Sequence, residues 1–92
     1  MGIKNTMKAL SDPTRRKILD LLKNKSMTAG EIGENFSMTG ASISHHLSIL
    51  KSAELVLDDK RGKYIYYEIN LTVIEEVMQW FQELKGDSKN EE

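Results

Sequence analysis

Residues 28–51 hold two helical patterns around a tight turn, an arrangement that few folds accommodate. Thr28 is placed to cap the free amides of a first helix over residues 29–35, and Glu31, three residues on, completes a capping box. Ile32 and Phe36 are its apolar positions, and Ser37-Met38-Thr39-Gly40 is the turn. Beyond it, Ile43, Leu47 and Leu50 recur at i, i+4 and i+7 and mark the buried face of a second helix. The opposite face carries Ala41, Ser42, His45, Ser48 and Ser52, with Ser44 on its shoulder, and no acid. A helix that enters the major groove of DNA must be slim enough to approach base edges while offering donors and acceptors, and small polar residues do both. An ordinary solvated face would carry more Lys and Glu. The expectation is a helix-turn-helix in which Ser42, Ser44 and His45 read or line the groove, while Gly40 and Ala41 permit close approach. Ser48 and Lys51, later on the helix, are expected at phosphates.

The flanking sequence supplies a body for this pair. Residues 3–10 suit a short helix showing Ile3, Met7 and Leu10 at helical spacing, too few to stand alone. Asp12 then offers a cap and Pro13 suits the first helical position, opening a helix with Ile18, Leu19 and Leu22 inward that ends at Asn24-Lys25-Ser26. Residues 55–69 read as a β-hairpin with Lys60, Arg61 and Lys63 at its tip, a wing able to meet phosphates or a minor groove. Asp58 and Asp59 fit that role poorly and are expected to splay away from a duplex. Tyr64, Tyr66 and Glu68 alternate with Ile65, Tyr67 and Ile69, as suits a sheet with one face buried. Asn70 could cap a last helix over residues 71–85. That helix has two apolar stripes, Val73/Val77/Trp80/Leu84 and Ile74/Met78/Phe81, and one small core needs only one of them. A second copy of the chain is the simplest cover for the other. Residues 1–85 thus read as one domain, and residues 86–92 as a disordered acidic tail.

A net charge of −1 looks wrong for a nucleic-acid binder, but it averages two unlike parts. Residues 1–67 carry 11 basic against 7 acidic side chains, a surplus of +4, and residues 68–92 carry 2 against 7, giving −5. A basic body with an acidic end favours one-sided contact with a polyanion. There are no cysteines, so disulfides, thiolate metal sites and thiol switches are excluded together. No apolar run reaches the roughly 20 residues of a membrane span, and no export signal is recognisable, so a cytoplasmic location is expected. His45 and His46 diverge by about 100° on a helix, whereas two helix ligands for one metal need i, i+3 or i, i+4 spacing, and no other histidine or cysteine exists. His46, near the Ile43/Leu47 face, is expected to pack and hydrogen-bond, and Arg15 to make a structural ion pair. No nucleophile, base and orienting group fall together and no phosphate-binding glycine loop is present, so neither enzyme activity nor a cofactor is expected.

Three linked motifs give the chain a resemblance: LSDPTRRKILDLL at residues 10–22, SISHHLSILKSAELV at 42–56 and RGKYIYY at 61–67. Together they resemble the ArsR/SmtB family of bacterial winged-helix repressors, in particular the SdpR-type autorepressors, over residues 5–85. The resemblance implies a mainly α winged helix-turn-helix in the order α-α-α-α-β-β-α, with a small β-hairpin wing. It also implies a homodimer built from the first and last helices, with two recognition helices and two wings on a palindromic operator. Ile3, Met7, Leu10, Ile74, Val77, Met78, Trp80, Phe81 and Leu84 are the interface residues on that view. Metal-sensing relatives place cysteines where this chain has Thr28 and Gly30, and last-helix metal sites use Asp and His where it has only Glu75, Glu76 and Glu83. DNA binding is therefore implied and metal binding is not. The SdpR-type likeness further implies a regulatory protein partner, in some systems a membrane protein that sequesters the repressor. Two rivals remain: a winged-helix module that binds protein and no DNA, and a metal-responsive repressor using carboxylates with His45 or His46.

Overall fold

In the computed structural model, which describes residues 2–86, most helices start at the cap their sequence offers. The order is α1 (Ile3–Leu10), α2 (Pro13–Leu22), β1 (Met27–Thr28), α3 (Ala29–Gly33), α4 (Gly40–Ser52), β2 (Val56–Arg61), β3 (Tyr64–Ile69) and α5 (Leu71–Leu84). Asp12 accepts from the Thr14 amide at 2.7 Å with Pro13 in the first turn. That amide bond, more than nearby Arg15, holds the Asp12 carboxyl below the usual carboxylate range. Thr28 and Glu31 close a complete capping box on α3, at 3.1 and 2.9 Å. The α3 helix stops at Gly33, two residues short of expectation, because the Asn35 side-chain amide turns back to the Glu31 and Ile32 carbonyls at 3.2 and 3.3 Å.

The strands form one antiparallel sheet in the order β1-β3-β2. β1 was not anticipated, since two residues show no periodicity. Met27 pairs with Tyr67 and Thr28 with Tyr66, so Thr28 joins the sheet to the start of α3. The β2–β3 hairpin closes from Arg61 to Tyr64 across a two-residue loop. Gly62, the first loop residue, has φ +65° while Lys63 keeps negative φ, the pattern of a type II′ turn, which glycine adopts without steric cost. The expected alternation holds near the body, where Tyr67 and Ile69 pack on the core, but Ile65 is 44% exposed because the wing projects past the helices.

The core is built around α4. Ile43, Leu47 and Leu50 are buried against Ile18, Leu22, Ile32, Leu55 and Val56, and α4 touches α1, α2, α3 and β2. Each such aliphatic side chain contributes about 1.5–3 kcal/mol on leaving water, so α4 is held by its inner face. After α4, Glu54 takes φ +63°, and the Glu54 and Leu55 amides donate to Lys51 and Leu50 carbonyls at 2.9 and 3.0 Å. This is a Schellman ending with glutamate where glycine is usual. The Asn70 side chain does not cap α5; its amide donates to the Glu54 carbonyl at 3.0 Å and ties α5 to the end of α4.

The two terminal helices divide their residues unevenly. α1 buries Thr6 and Ala9, small enough for close approach, with the Thr6 hydroxyl satisfied by the Gly2 carbonyl at 3.2 Å. Its expected stripe lies at the margin: Met7 and Leu10 are half-buried and Ile3 is exposed. On α5, Val73 and Val77 enter the core and Ile74 packs against it. Val77, expected at an interface, is thus a residue of the chain's own core, because it falls one turn from Val73 on the same stripe. Met78, Trp80, Phe81 and Leu84 are exposed, Phe81 by 50% and Leu84 by 63%. Trp80 and Phe81 lie with ring centres 5.2 Å apart. The tail expected over residues 86–92 falls, from residue 87 on, outside the described residues.

Candidate nucleic-acid interface

Thr39, the third residue of the Ser37–Gly40 turn, is also the cap of α4. Its hydroxyl caps α4 by accepting from the Ser42 amide at 3.1 Å, and donates to the Ser42 hydroxyl at 3.2 Å. Gly40, Ala41, Ser42, Ser44, His45, Ser48 and Lys51 are all exposed. Nothing stands within 4 Å of a Cβ added at Gly40, so the entry to the helix is open. Ser44 lines a shallow cleft between α3 and α4 with Gly33, Glu34 and Met38, which places one acid beside a face that looked acid-free along the helix. Ser48 lines another cleft with Asn5 and Lys8 of α1, bringing in a lysine that no sequence spacing assigned.

The two histidines part as their spacing requires. His45 faces outward, its ring centre 6.2 Å from that of His46. His46 is half-buried, with Nδ1 3.2 Å from Arg15 Nη1. Arg15 is 8% exposed and makes the expected ion pair with Asp12, although at 3.8 Å, and stronger bonds to the carbonyls of Ala9 and Lys8 at 2.7 and 3.2 Å. Arg16 donates to the Leu10 carbonyl at 2.7 Å, and Lys17 lies over the Phe36 ring at 5.0 Å. Among the described residues no three His, Cys, Asp or Glu side chains converge on a point that could hold a metal ion.

The wing differs most from expectation. Asp58 and Asp59 do not splay away: Lys51 Nζ donates to Asp58 at 2.8 Å and Arg61 Nε to Asp59 at 2.9 Å. These bonds raise the pKa of both cations, which stay charged at any working pH. Arg61 also donates to the Ser26 hydroxyl at 3.3 Å and lies over the Tyr66 ring at 4.7 Å. Alternation along β2 puts Asp58 and Lys60 on the side facing α4, and Asp59 and Arg61 on the other. Lys63, in the turn, is 5.9 Å from the Tyr64 ring centre. Among the described residues Lys60 and Lys63 have no acid partner, whereas Lys51 and Arg61 each carry one. Pairing of this kind depends on strand register, and residue order alone does not show it.

A helix with a slim polar outer face, set beside a cation-bearing hairpin, has the geometry of a winged helix-turn-helix. Solved structures share it. A crystal structure of an ArsR family transcriptional regulator superposes with a TM-score of 0.84 at 25% identity, covering 96% of this chain and 91% of that one. The solution structure of a homodimeric winged helix-turn-helix DNA-binding domain from Mycobacterium bovis gives 0.75 at 28% identity, covering 90% and 77%. In sequence, the transcriptional repressor SdpR of Bacillus subtilis (strain 168) is 54% identical over 86 residues, covering 91% of this chain and 96% of that protein. Residues 12–57, from the α2 cap through the helix-turn-helix into β2, match the family described as bacterial regulatory protein, arsR family. By that match and by the identity across nearly its whole length, this chain belongs to the arsR family of bacterial regulators, proteins that control transcription and are not enzymes.

Proposed function

We propose that the chain is a DNA-binding transcriptional repressor that acts as a homodimer on a palindromic operator. The observation that carries this reading is the outer face of α4, where Ala41, Ser42, Ser44, His45 and Ser48 stand exposed on a helix whose inner face is locked into the core. Such a face admits base edges, while Lys51 at the end of α4 and Lys60, Arg61 and Lys63 on the wing supply cations for phosphates. The uncovered apolar end of α5 supports dimerisation through α1 and α5, which would set two α4 helices at successive half-sites. The trigger for release is something other than a thiolate-held metal, since there is no cysteine and the Thr28 hydroxyl is committed to capping α3. The candidate trigger is a regulatory protein partner, as the resemblance of the three sequence motifs implies.

Selection of bound fragments from the source genome by the purified protein, at two salt concentrations and with and without chelator, tests this. One enriched inverted-repeat sequence, unaffected by chelator, is the expected result. Undetectable or salt-resistant duplex binding would favour a protein-interaction module instead, and loss of binding on chelation would favour a metal-responsive repressor. In the same assay Arg61→Ala should weaken binding to all sequences and lower the salt slope by about 0.9 for one lost phosphate contact. Ser42→Ala with His45→Ala should instead erode the preference for the selected duplex over random DNA by about 1–3 kcal/mol. Equal losses on both duplexes from the Ser/His pair would remove the base-reading role.

A further inference from the structure

Where α4 begins, one oxygen makes two hydrogen bonds. Thr39 Oγ1 accepts from the Ser42 amide at 3.1 Å, which caps the helix, and its own proton goes to Ser42 Oγ at 3.2 Å. A hydroxyl has one proton and two lone pairs, so both bonds fit on the same oxygen without competing. They also run in one direction. The amide donates to Thr39 and Thr39 donates to Ser42, and a hydroxyl that accepts a bond gives its own proton more strongly. The reverse order would make Thr39 Oγ1 accept twice and turn the Ser42 proton inward, against that polarisation. Ser42 therefore ends the relay, and among the described residues its hydroxyl donates to nothing.

The surroundings leave that proton a clear way out. Thr39, Gly40, Ala41 and Ser42 are all exposed, and the two residues between the hydroxyl pair carry nothing longer than a methyl group. No atom lies within 4 Å of a Cβ added at Gly40. The inner side of the same turn is fixed, because the Ile43 amide donates to the Thr39 carbonyl at 3.1 Å and the Ile43 side chain is buried in the core.

We propose that Thr39 is a positioning residue that sets Ser42 as a hydrogen-bond donor toward the major groove, so that Ser42 discriminates against cytosine at the base it meets. The inference rests on the reading of α4 as the helix that enters the groove. There guanine offers N7 and O6, adenine N7 and thymine O4 as acceptors, whereas cytosine offers only its N4 amino group, a donor. A serine hydroxyl that rotates freely serves either kind of edge, so serine alone reads little. Thr39 removes that freedom. It occupies one lone pair of Ser42 and strengthens the outward proton as a donor, which favours acceptor edges.

The test changes Thr39 in two ways that both keep the helix cap. Thr39→Ser retains the acceptor and the proton. Thr39→Asp caps at least as well, but a carboxylate has no proton to give, so the Ser42 hydroxyl turns its own toward it and shows only lone pairs to the groove. Dissociation constants are measured with the full-length protein on the duplex recovered by genomic selection and on every single base-pair variant of it. The added charge of Thr39→Asp weakens binding to all of these duplexes, and it cancels in ratios taken within one protein. At one position of each half-site the wild type is expected to disfavour cytosine by about fivefold, the scale of one neutral hydrogen bond, and Ser42→Ala to lose that bias. Thr39→Ser should keep the bias. Thr39→Asp should remove it or reverse it toward cytosine and adenine, whose amino groups donate, while preferences at the other positions stay. A bias unchanged in Thr39→Asp, a loss spread alike over every position, or a wild-type preference for cytosine at the position Ser42→Ala affects would each overturn the proposal and leave the repressor reading intact. A wild type that selects no duplex removes the repressor reading instead, and this role with it.

Discussion

On the proposed reading Lys51 and Arg61 meet phosphates, yet each already holds an aspartate, the two pairs lying on opposite sides of β2. Exposed ion pairs are weak, so these bonds open at modest cost when a phosphate competes. The aspartates then repel the backbone wherever the fit is imperfect, which penalises non-specific contact more than specific contact. Asp59→Asn is therefore expected to tighten binding to random duplex by about two- to fivefold at low salt and to narrow the preference for the selected sequence. Fluorescence anisotropy with labelled duplexes would check it, and weaker binding to random DNA would show that Asp59 instead holds Arg61 in its binding position. Arg15 is the contrasting case, a buried cation whose value lies in the carbonyls and the ring it satisfies rather than in its ion pair at 3.8 Å.

At the scale of elements, α4 and the wing are joined by a short, strained connection. Glu54 holds a left-handed conformation, which costs a residue with a Cβ about 1–2 kcal/mol, so that the chain can reverse from α4 into β2. Among the described residues the Glu54 side chain makes no hydrogen bond, and the Asn70 tie goes to the Glu54 carbonyl, which any residue supplies. Glu54→Gly is thus expected to raise stability by about 0.5–1 kcal/mol, after allowing for the greater unfolded-state freedom of glycine. Urea unfolding followed by circular dichroism would measure it. A loss of stability would mean that the Glu54 side chain does something the Schellman geometry does not express.

For the whole molecule, the decisive feature is that α5 divides its apolar residues between core and surface. Its N-terminal half gives Val73 and Val77 to the core, and its C-terminal half leaves Met78, Trp80, Phe81 and Leu84 in water. Contiguous apolar surface of this kind marks an interaction site in a soluble protein. Ile3, exposed on α1, extends the same argument to the other terminal helix. Trp80→Glu or Phe81→Glu should abolish dimers in sedimentation while leaving helix content nearly unchanged, because neither side chain belongs to the chain's own core. Stable native dimers from both variants would contradict the interface. Loss of the dimer should also remove specific DNA binding, since one recognition helix alone makes half of the contacts.

The sequence by itself determined which elements form and which face of each is apolar. Periodicity fixed the inner stripe of α4, the caps at Asp12 and Thr28 fixed where α2 and α3 begin, and the glycine between Arg61 and Lys63 marked the wing turn. These are local properties, set by backbone sterics and by partners within four residues. Tertiary structure alone decided who meets whom across the fold. It drew Thr28 into a third strand, turned Asn70 from a cap into a tie to Glu54, buried Val77 in the core, and gave Lys51 and Arg61 their aspartates. It also set Arg15 against His46, 31 positions away. Each of these contacts depends on strand register or on helix packing distance, and residue spacing along the chain encodes neither.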